Sequence, residues 1–147
     1  MRPEDYSEED ALMAYVWRNY PDIMRPDECV PTDAAVRDQL PPELRDEYWL
    51  WAMECSRIVA ESMAEDQRLS KDGTVVDSEP ILPEMRPELG TAVNPIFFRL
   101  RWQVFQERLR LHQDRVTIAR CPRCNRILIN EHSRQCLWCR FDWHEKT

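Results

Sequence analysis

Glycine is scarce in this chain, and its scarcity argues against several kinds of site. The 147 residues contain only two glycines, Gly73 and Gly90. Phosphate-binding loops and dinucleotide fingerprints need several glycines close together, because the backbone must approach the ligand closely. No Gly-x-Ser-x-Gly nucleophile elbow occurs either. The sequence therefore gives no support to nucleotide binding through these loops or to hydrolysis by such an elbow.

Histidine and long apolar runs are also lacking. A carboxylate di-metal bundle needs Glu-x-x-His pairs, and none of His112, His132 and His144 follows a glutamate by three positions. The longest candidate for an apolar run, residues 11–17, is far shorter than the 18 or so residues of a membrane-spanning helix. We therefore expect a protein that is not an enzyme and has no membrane partner.

Four cysteines near the end of the chain carry the clearest chemical signal. They form two Cys-x-x-Cys pairs separated by eleven residues: Cys121, Cys124, Cys136 and Cys139. Two such pairs supply four thiolates to the corners of a tetrahedron, the geometry of structural Zn²⁺. Two disulfides or four free thiols are the alternatives, and Fe is the competing metal. The first ten residues are acidic and do not have the pattern of a signal peptide. We therefore expect the protein in the cytoplasm, where reducing conditions disfavour disulfides, and we expect the four thiolates to bind one structural Zn²⁺.

The same segment resembles the zinc-ribbon, or rubredoxin-like, family of small metal modules. The resemblance covers residues 115–145 and rests on the two cysteine turns, on Pro122 after the first cysteine, and on apolar residues 116–119 and 127–129 that predict short strands. It implies a small β zinc ribbon. Gly often follows the second cysteine of each turn in that family, whereas Asn125 and Arg140 stand there in this chain. Asn tolerates a left-handed backbone better than Arg does.

The remainder of the chain predicts a mainly α fold, an irregular helical domain that precedes the ribbon. Residues 1–69 form an acidic helical region with a central helix at about 42–69. Residues 70–93 contain several prolines and are a linker or a packed arm. Asn94-Pro95 predicts the start of a helix over 94–114 that completes the helical domain, and residues 115–147 are the zinc ribbon. We expect zinc removal to unfold the ribbon and leave the helices, with a separate core, in place.

Charge is divided unevenly along the sequence. Residues 1–90 carry 9 Lys/Arg against 22 Asp/Glu, a net charge of −13, and residues 91–147 carry 11 against 5, a net charge of +6. The two parts complement each other, so the acidic part could cover the basic part until a partner displaces it.

Two functions follow from these features. The first is a protein-interaction or regulatory adaptor in which the ribbon is a structural zinc module and a protein is the partner. The second is nucleic-acid binding through the ribbon, where arginines contact phosphates and an aromatic ring stacks on a base. The candidate contact residues for either partner are Arg123, Arg126, Arg134, Arg140 and Trp138. The acidic first ninety residues and the −2 charge of a Zn(Cys)₄ centre favour the first function.

Overall fold

The structure is a computed structural model that describes residues 2–71 and 80–144. It is mainly helical, as predicted. The described residues form four α-helices, which are α1 (Glu8–Asn19), α2 (Asp33–Gln39), α3 (Pro42–Lys71) and α4 (Pro87–Leu111). Single 3₁₀ turns lie at Pro3–Asp5, Pro26–Cys29 and Gln113–Arg115. Residues 72–79 of the predicted linker and 145–147 of the predicted ribbon lie outside the described residues. None of the described helices has the length and apolar composition of a membrane span.

The chain divides into two compact units, and the division differs from the predicted order along the sequence. The helical unit comprises residues 31–100, and the cysteine unit comprises residues 1–30 together with 101–147. Helix α4 contributes residues to both. The first thirty residues thus belong with the cysteines, because α1 shares a hydrophobic core with the segment that leads into the first cysteine turn.

The helical unit is held by residues from α2, α3 and α4. Thr32 caps α2, since its Oγ1 accepts a hydrogen bond from the N–H of Ala35 at 3.2 Å. Tyr48 of α3 is 3% exposed and its hydroxyl donates to Asp33 Oδ1 at 2.9 Å, so this buried polar group is satisfied. Burial, together with that hydrogen bond, raises the pKa of Tyr48. The buried core residues are Val36, Leu40, Tyr48, Ala52, Leu89, Val93, Ile96 and Leu100.

Residues 80–86 contact α3 at some positions and solvent at others. The indole Nε1 of Trp51 donates to the carbonyl oxygen of Pro83 at 3.0 Å, and Met85 packs against the core of the helical unit. The guanidinium of Arg86 forms a bidentate pair with the Glu47 carboxylate at 2.7 and 2.9 Å. Ile81, in the same segment, is 92% exposed.

Helix α4 begins at Pro87, seven residues before the predicted start at Asn94. Pro87 occupies the same favourable first-turn position that the sequence assigned to Pro95. Pro95 lies inside the helix instead. An interior proline costs about 3 kcal/mol, whereas burying Leu89 and Val93 contributes about 1.5–3 kcal/mol each. The gain from burial therefore offsets the loss at Pro95. Phe98 of this helix is 56% exposed.

The cysteine unit has a core of its own in which α1 lies against the last part of α4. Ser7 caps α1, with its Oγ accepting from the N–H of Asp10 at 3.3 Å. Phe105 of α4 is fully buried and stacks on Trp102 at 5.5 Å between ring centroids. The buried members are Met13, Tyr15, Val16, Met24, Cys29, Phe105 and Ile127. Ile127 follows directly on the first cysteine turn, so the segment around that turn contributes to the core that surrounds α1.

The early start of α4 makes Leu89 a core residue of the helical unit. Leu89→Ala should lower the free energy of unfolding of that unit by about 2–5 kcal/mol, because it leaves a cavity. Urea unfolding followed by circular dichroism measures the change. Leu50→Ala is the matched control, since Leu50 lies on α3 and is 71% exposed; it should change stability by less than about 0.5 kcal/mol. Equal effects of the two substitutions would contradict a helical start at Pro87.

Candidate metal centre

The two Cys-x-x-Cys turns have the same backbone conformation. In the first turn the N–H of Asn125 donates to the carbonyl of Cys121, and the N–H of Cys121 donates to the carbonyl of Arg126, both at 2.9 Å. The second turn repeats both bonds fifteen residues later, in the pairs Arg140–Cys136 (2.9 Å) and Cys136–Phe141 (2.8 Å). The sequence predicted a turn at each Cys-x-x-Cys pair, and the two turns share one hydrogen-bond pattern although they have little sequence in common beyond their cysteines.

Each turn is flanked by one antiparallel β-bridge, Arg120 with Ile127 and Gln135 with Asp142. The strands predicted from residues 116–119 and 127–129 do not extend beyond such single bridges within the described residues. The predicted β ribbon is therefore reduced here to two bridged turns. The reason lies in the neighbouring backbone groups, which bond to side chains from the first twenty residues instead of to a second strand.

Those side chains are three tyrosines and one asparagine. The Tyr15 hydroxyl donates to the carbonyl of Thr117 at 2.7 Å and accepts from the N–H of Ala119 at 3.3 Å. The N–H of Thr117 donates to the Tyr20 hydroxyl at 3.0 Å. Two further bonds join Ile127 N–H to the Tyr6 hydroxyl (3.1 Å) and Asn19 Nδ2 to the Ile129 carbonyl (2.9 Å). Sequence reasoning missed these residues, although three of the four tyrosines lie in the first twenty positions.

The residue after each second cysteine has a left-handed backbone. Asn125 has φ of 62° and Arg140 has φ of 65°. The sequence placed these two residues where related modules often carry Gly, and the structure confirms that both positions need that conformation. A left-handed backbone costs an L-residue roughly 1–2 kcal/mol, less for Asn than for Arg. The second turn therefore carries more backbone strain than the first.

The four sulfurs converge on one point. The Sγ atoms of Cys121 and Cys139 are 3.6 Å apart, as are those of Cys124 and Cys136, and all four ligand atoms lie within 4.8 Å of one another. A regular tetrahedron with metal–sulfur bonds of about 2.3 Å has an edge of about 3.8 Å. A disulfide would need about 2.05 Å, and all four cysteines are unlinked. The four residues are thus positioned to bind a metal ion.

Backbone N–H groups donate hydrogen bonds to the first of the four sulfurs and stabilise its thiolate form. The amides of Arg123 and Cys124 donate to Cys121 Sγ at 3.4 and 3.5 Å. Burial acts to raise the pKa of Cys121, but the hydrogen bonds from these amides and from neighbouring thiols outweigh it and lower the pKa to about 7. Burial dominates at Cys136 and raises its pKa to about 11. A divalent cation bound here would supply positive charge to compensate thiolates at the four positions.

The remaining cysteines and histidines lie outside the cluster. Cys29 is fully buried in the core of the cysteine unit, and burial raises the pKa of its thiol. Cys55 is half-buried on α3. His144 Nδ1 lies 2.6 Å from Asp142 Oδ1, and neither it nor His132 belongs to the cluster. Among the described residues, the ligand set is therefore the four cysteines alone.

The arginines around the cysteine cluster differ in the contacts that they make with other residues of the chain. Arg120 forms an ion pair with Glu8 and donates to the Asn125 carbonyl. Arg126 lies 5.5 Å from the centroid of the Tyr6 ring and Arg123 lies 5.8 Å from that of Phe141, both cation–π contacts. The side chains of Arg134 and Arg140 are exposed. Trp138 packs edge-on against Tyr6 at 5.0 Å and 79°, and so does not present a free face on that side.

Ion pairs join the two sequence segments of the cysteine unit. Residues 1–30 carry three Lys/Arg and eight Asp/Glu, and residues 101–147 carry ten and five. Besides Glu8 with Arg120, the pairs are Asp22 with Arg115 (3.9 Å) and Glu28 with Arg108 (3.8 Å). All are partly exposed, so each contributes at most about 1 kcal/mol. They complement the hydrogen bonds from the tyrosines in holding the segments together.

Comparisons with known proteins give no family for this chain. No protein-family model, no curated protein and no solved structure matches it significantly.

The shared core changes what metal loss should do. Chelation should expose the amides of both cysteine turns and also those of α1, because Ile127, Ile118 and Ala119 pack against α1 residues. The sequence had predicted separate cores and intact helices. Hydrogen exchange with mass spectrometry should show protection lost over Glu8–Asn19 and retained over the first half of α3. Retention of protection in α1 after the turns have opened would show that the cores are independent.

Proposed function

We propose that this protein is a non-enzymatic zinc-binding adaptor: one Zn²⁺ held by Cys121, Cys124, Cys136 and Cys139 fixes the shape of the cysteine unit, and that unit binds a protein partner. The observation that carries the proposal is the convergence of four unlinked sulfurs at near-tetrahedral spacing. The bound metal would supply coordination energy for folding and no reaction.

The choice of zinc over iron rests on the role that the site has in folding. Both metals accept four thiolates in a tetrahedron. Zn²⁺ has no redox chemistry and is the usual ion of sites that hold small folds together. Here the only buried residues of the cysteine-turn cluster are Cys121, Leu128 and Cys136, so two of the three are themselves ligands. A module with so little apolar core needs a permanent ion.

We regard the module as a reduced zinc ribbon. The two turns with N–H···S bonds and one bridge each are the parts of a ribbon nearest its metal. The longer strands of a full ribbon are replaced by tyrosine hydroxyls from the first twenty residues.

An adaptor accounts better than an enzyme for this arrangement. A four-thiolate site has no open coordination position for substrate or water, and the amino-acid sequence offers no glycine-rich phosphate loop. Nucleic-acid binding is the alternative. The exposed side chains of Arg134 and Arg140 favour it, whereas the contacts of Arg120, Arg123 and Arg126 within the cysteine unit leave fewer cations for phosphates.

Metal analysis tests the first half of the proposal. Protein purified without added metal should contain about one zinc per chain, as expected of a four-thiolate site. Cys136→Ser should reduce the zinc content severalfold, because the fourth ligand of a closed site is lost. Cys55→Ser, the same change at a cysteine outside the cluster, should leave it unchanged. One equivalent of iron in place of zinc, or equal zinc loss in both variants, would refute the assignment.

Binding of nucleic acid tests the second half. We expect association with DNA or RNA no tighter than the roughly 10⁻⁴–10⁻⁶ M of non-specific contacts at physiological salt. The double variant Arg134→Gln/Arg140→Gln should therefore bind nucleic acid with the same affinity as the control Arg25→Gln/Arg110→Gln. The control removes the same charge from exposed positions away from the cysteine turns. Nanomolar binding that only the first double variant abolishes would make the protein a nucleic-acid module instead of an adaptor.

A further inference from the structure

A groove lies within the cysteine unit, between α1 and the cysteine turns. One wall is the face of α1 that carries Ala11, Ala14 and Tyr15, and the other is formed by residues 127–129 with Leu137 and Trp138. The two alanines are small, which leaves the space open. The T-shaped contact with Tyr6 fixes Trp138 as the side of the groove. The groove is therefore a built feature of the packing between the first twenty residues and the metal module.

The size of the groove indicates what fits it. Its volume is about 210 Å³. Sites for cofactors and drug-sized ligands usually measure about 300–1,000 Å³, so this groove is small for them. One or two apolar side chains from a peptide match it better, and the predominantly apolar walls suit them.

Opposite charges stand at the two ends of the groove along α1. Asp10, near Asp5, lies in the first turn of α1, and Arg18 lies in its last turn. Positions 10, 14 and 18 share one helical face, and eight residues of helix separate the two charges by about 12 Å. Asp5, Asp10 and Arg18 form no ion pair within the part of the chain that the structure describes, and Asp10 and Arg18 are exposed. These charges remain available to a partner.

We propose that this groove is the docking site for a short extended segment of a partner protein, with a large apolar side chain between a basic residue and an acidic one. The basic residue pairs with Asp5 and Asp10, the apolar side chain enters between Ala14 and Trp138, and the acidic residue pairs with Arg18. A spacing of about 12 Å corresponds to three or four extended residues at about 3.3 Å each. The inference rests on the proposed adaptor function and names the chemistry of its partner.

Peptide display on the full zinc-loaded chain tests the inference. Random heptapeptides selected on the protein should be enriched in a Lys or Arg and an Asp or Glu three or four positions apart, with Leu, Ile, Met or Phe between them. The same selection on Arg18→Glu should replace the acidic preference by a basic one. On Asp10→Lys it should weaken the basic preference, because complementary charge sets specificity at such contacts. These exchanges of preference locate both ends of the peptide.

The control is Glu9→Lys, which makes the same charge change on the neighbouring exposed position of α1 outside the groove. An enriched peptide, measured by fluorescence anisotropy, should bind Asp10→Lys at least about fivefold more weakly than the unaltered chain and bind Glu9→Lys equally well. Circular dichroism and zinc content verify that each variant is folded. The inference is overturned if no peptide is enriched, or if Asp10→Lys and Glu9→Lys have equal effects.

Two further outcomes separate this inference from the proposed function. A dimer in sedimentation velocity that Arg18→Glu dissociates would place a second copy of the chain in the groove, against a heterologous partner. Crosslinking of the complex purified from its native cell gives the other outcome. A partner that crosslinks to the cysteine unit only at residues outside the groove would end the groove assignment while leaving the adaptor function intact. Absence of any protein partner together with strong nucleic-acid binding would end both.

Discussion

The convergence of four cysteine sulfurs is the constraint on which the cysteine unit depends. Residues 120–143 form two short turns with one β-bridge each, and their buried cluster contains little besides two of the cysteines and Leu128. Such a segment cannot bury enough apolar surface to fold by hydrophobic collapse alone. Coordination energy of about 10–16 kcal/mol, typical of structural zinc, is large enough to replace a missing core. The backbone strain at Arg140 is small against that energy.

A second set of interactions extends this constraint to the N-terminal segment. Hydroxyl groups of Tyr6, Tyr15 and Tyr20 bond to backbone groups that would otherwise form a β-ladder. Each such bond contributes only about 0.5–1.5 kcal/mol, but a buried backbone group left unpaired costs more. Side chains from residues 6–20 therefore stand where a longer strand would pair beside the cysteine turns, and the segment around these turns gives α1 a surface to pack on. The two segments belong to one compact unit although residues 31–100 lie between them in the sequence.

The packing of α1 against the cysteine turns also shapes the surface of the cysteine unit. On their own, the two turns would present only a small surface. Packing against α1 adds a helical wall, and the small side chains of Ala11 and Ala14 leave a groove between wall and module. Residues 127–129 and Trp138 form one wall of that groove, so its shape depends on how the cysteine turns pack against α1.

The sequence by itself determined the ligand set and the mainly helical class. Cysteine spacing acts locally, since each Cys-x-x-Cys turn is closed by bonds within six residues, and proline and apolar periodicity likewise act over a few turns. The sequence also identified Asn125 and Arg140 as the positions with a left-handed backbone. Only the tertiary structure decided that α4 begins at Pro87, that the predicted strands are single β-bridges, and that α1 is part of the cysteine unit. These outcomes depend on burial and hydrogen bonding between residues distant in the chain, where long-range packing overrides the local signals that a sequence displays.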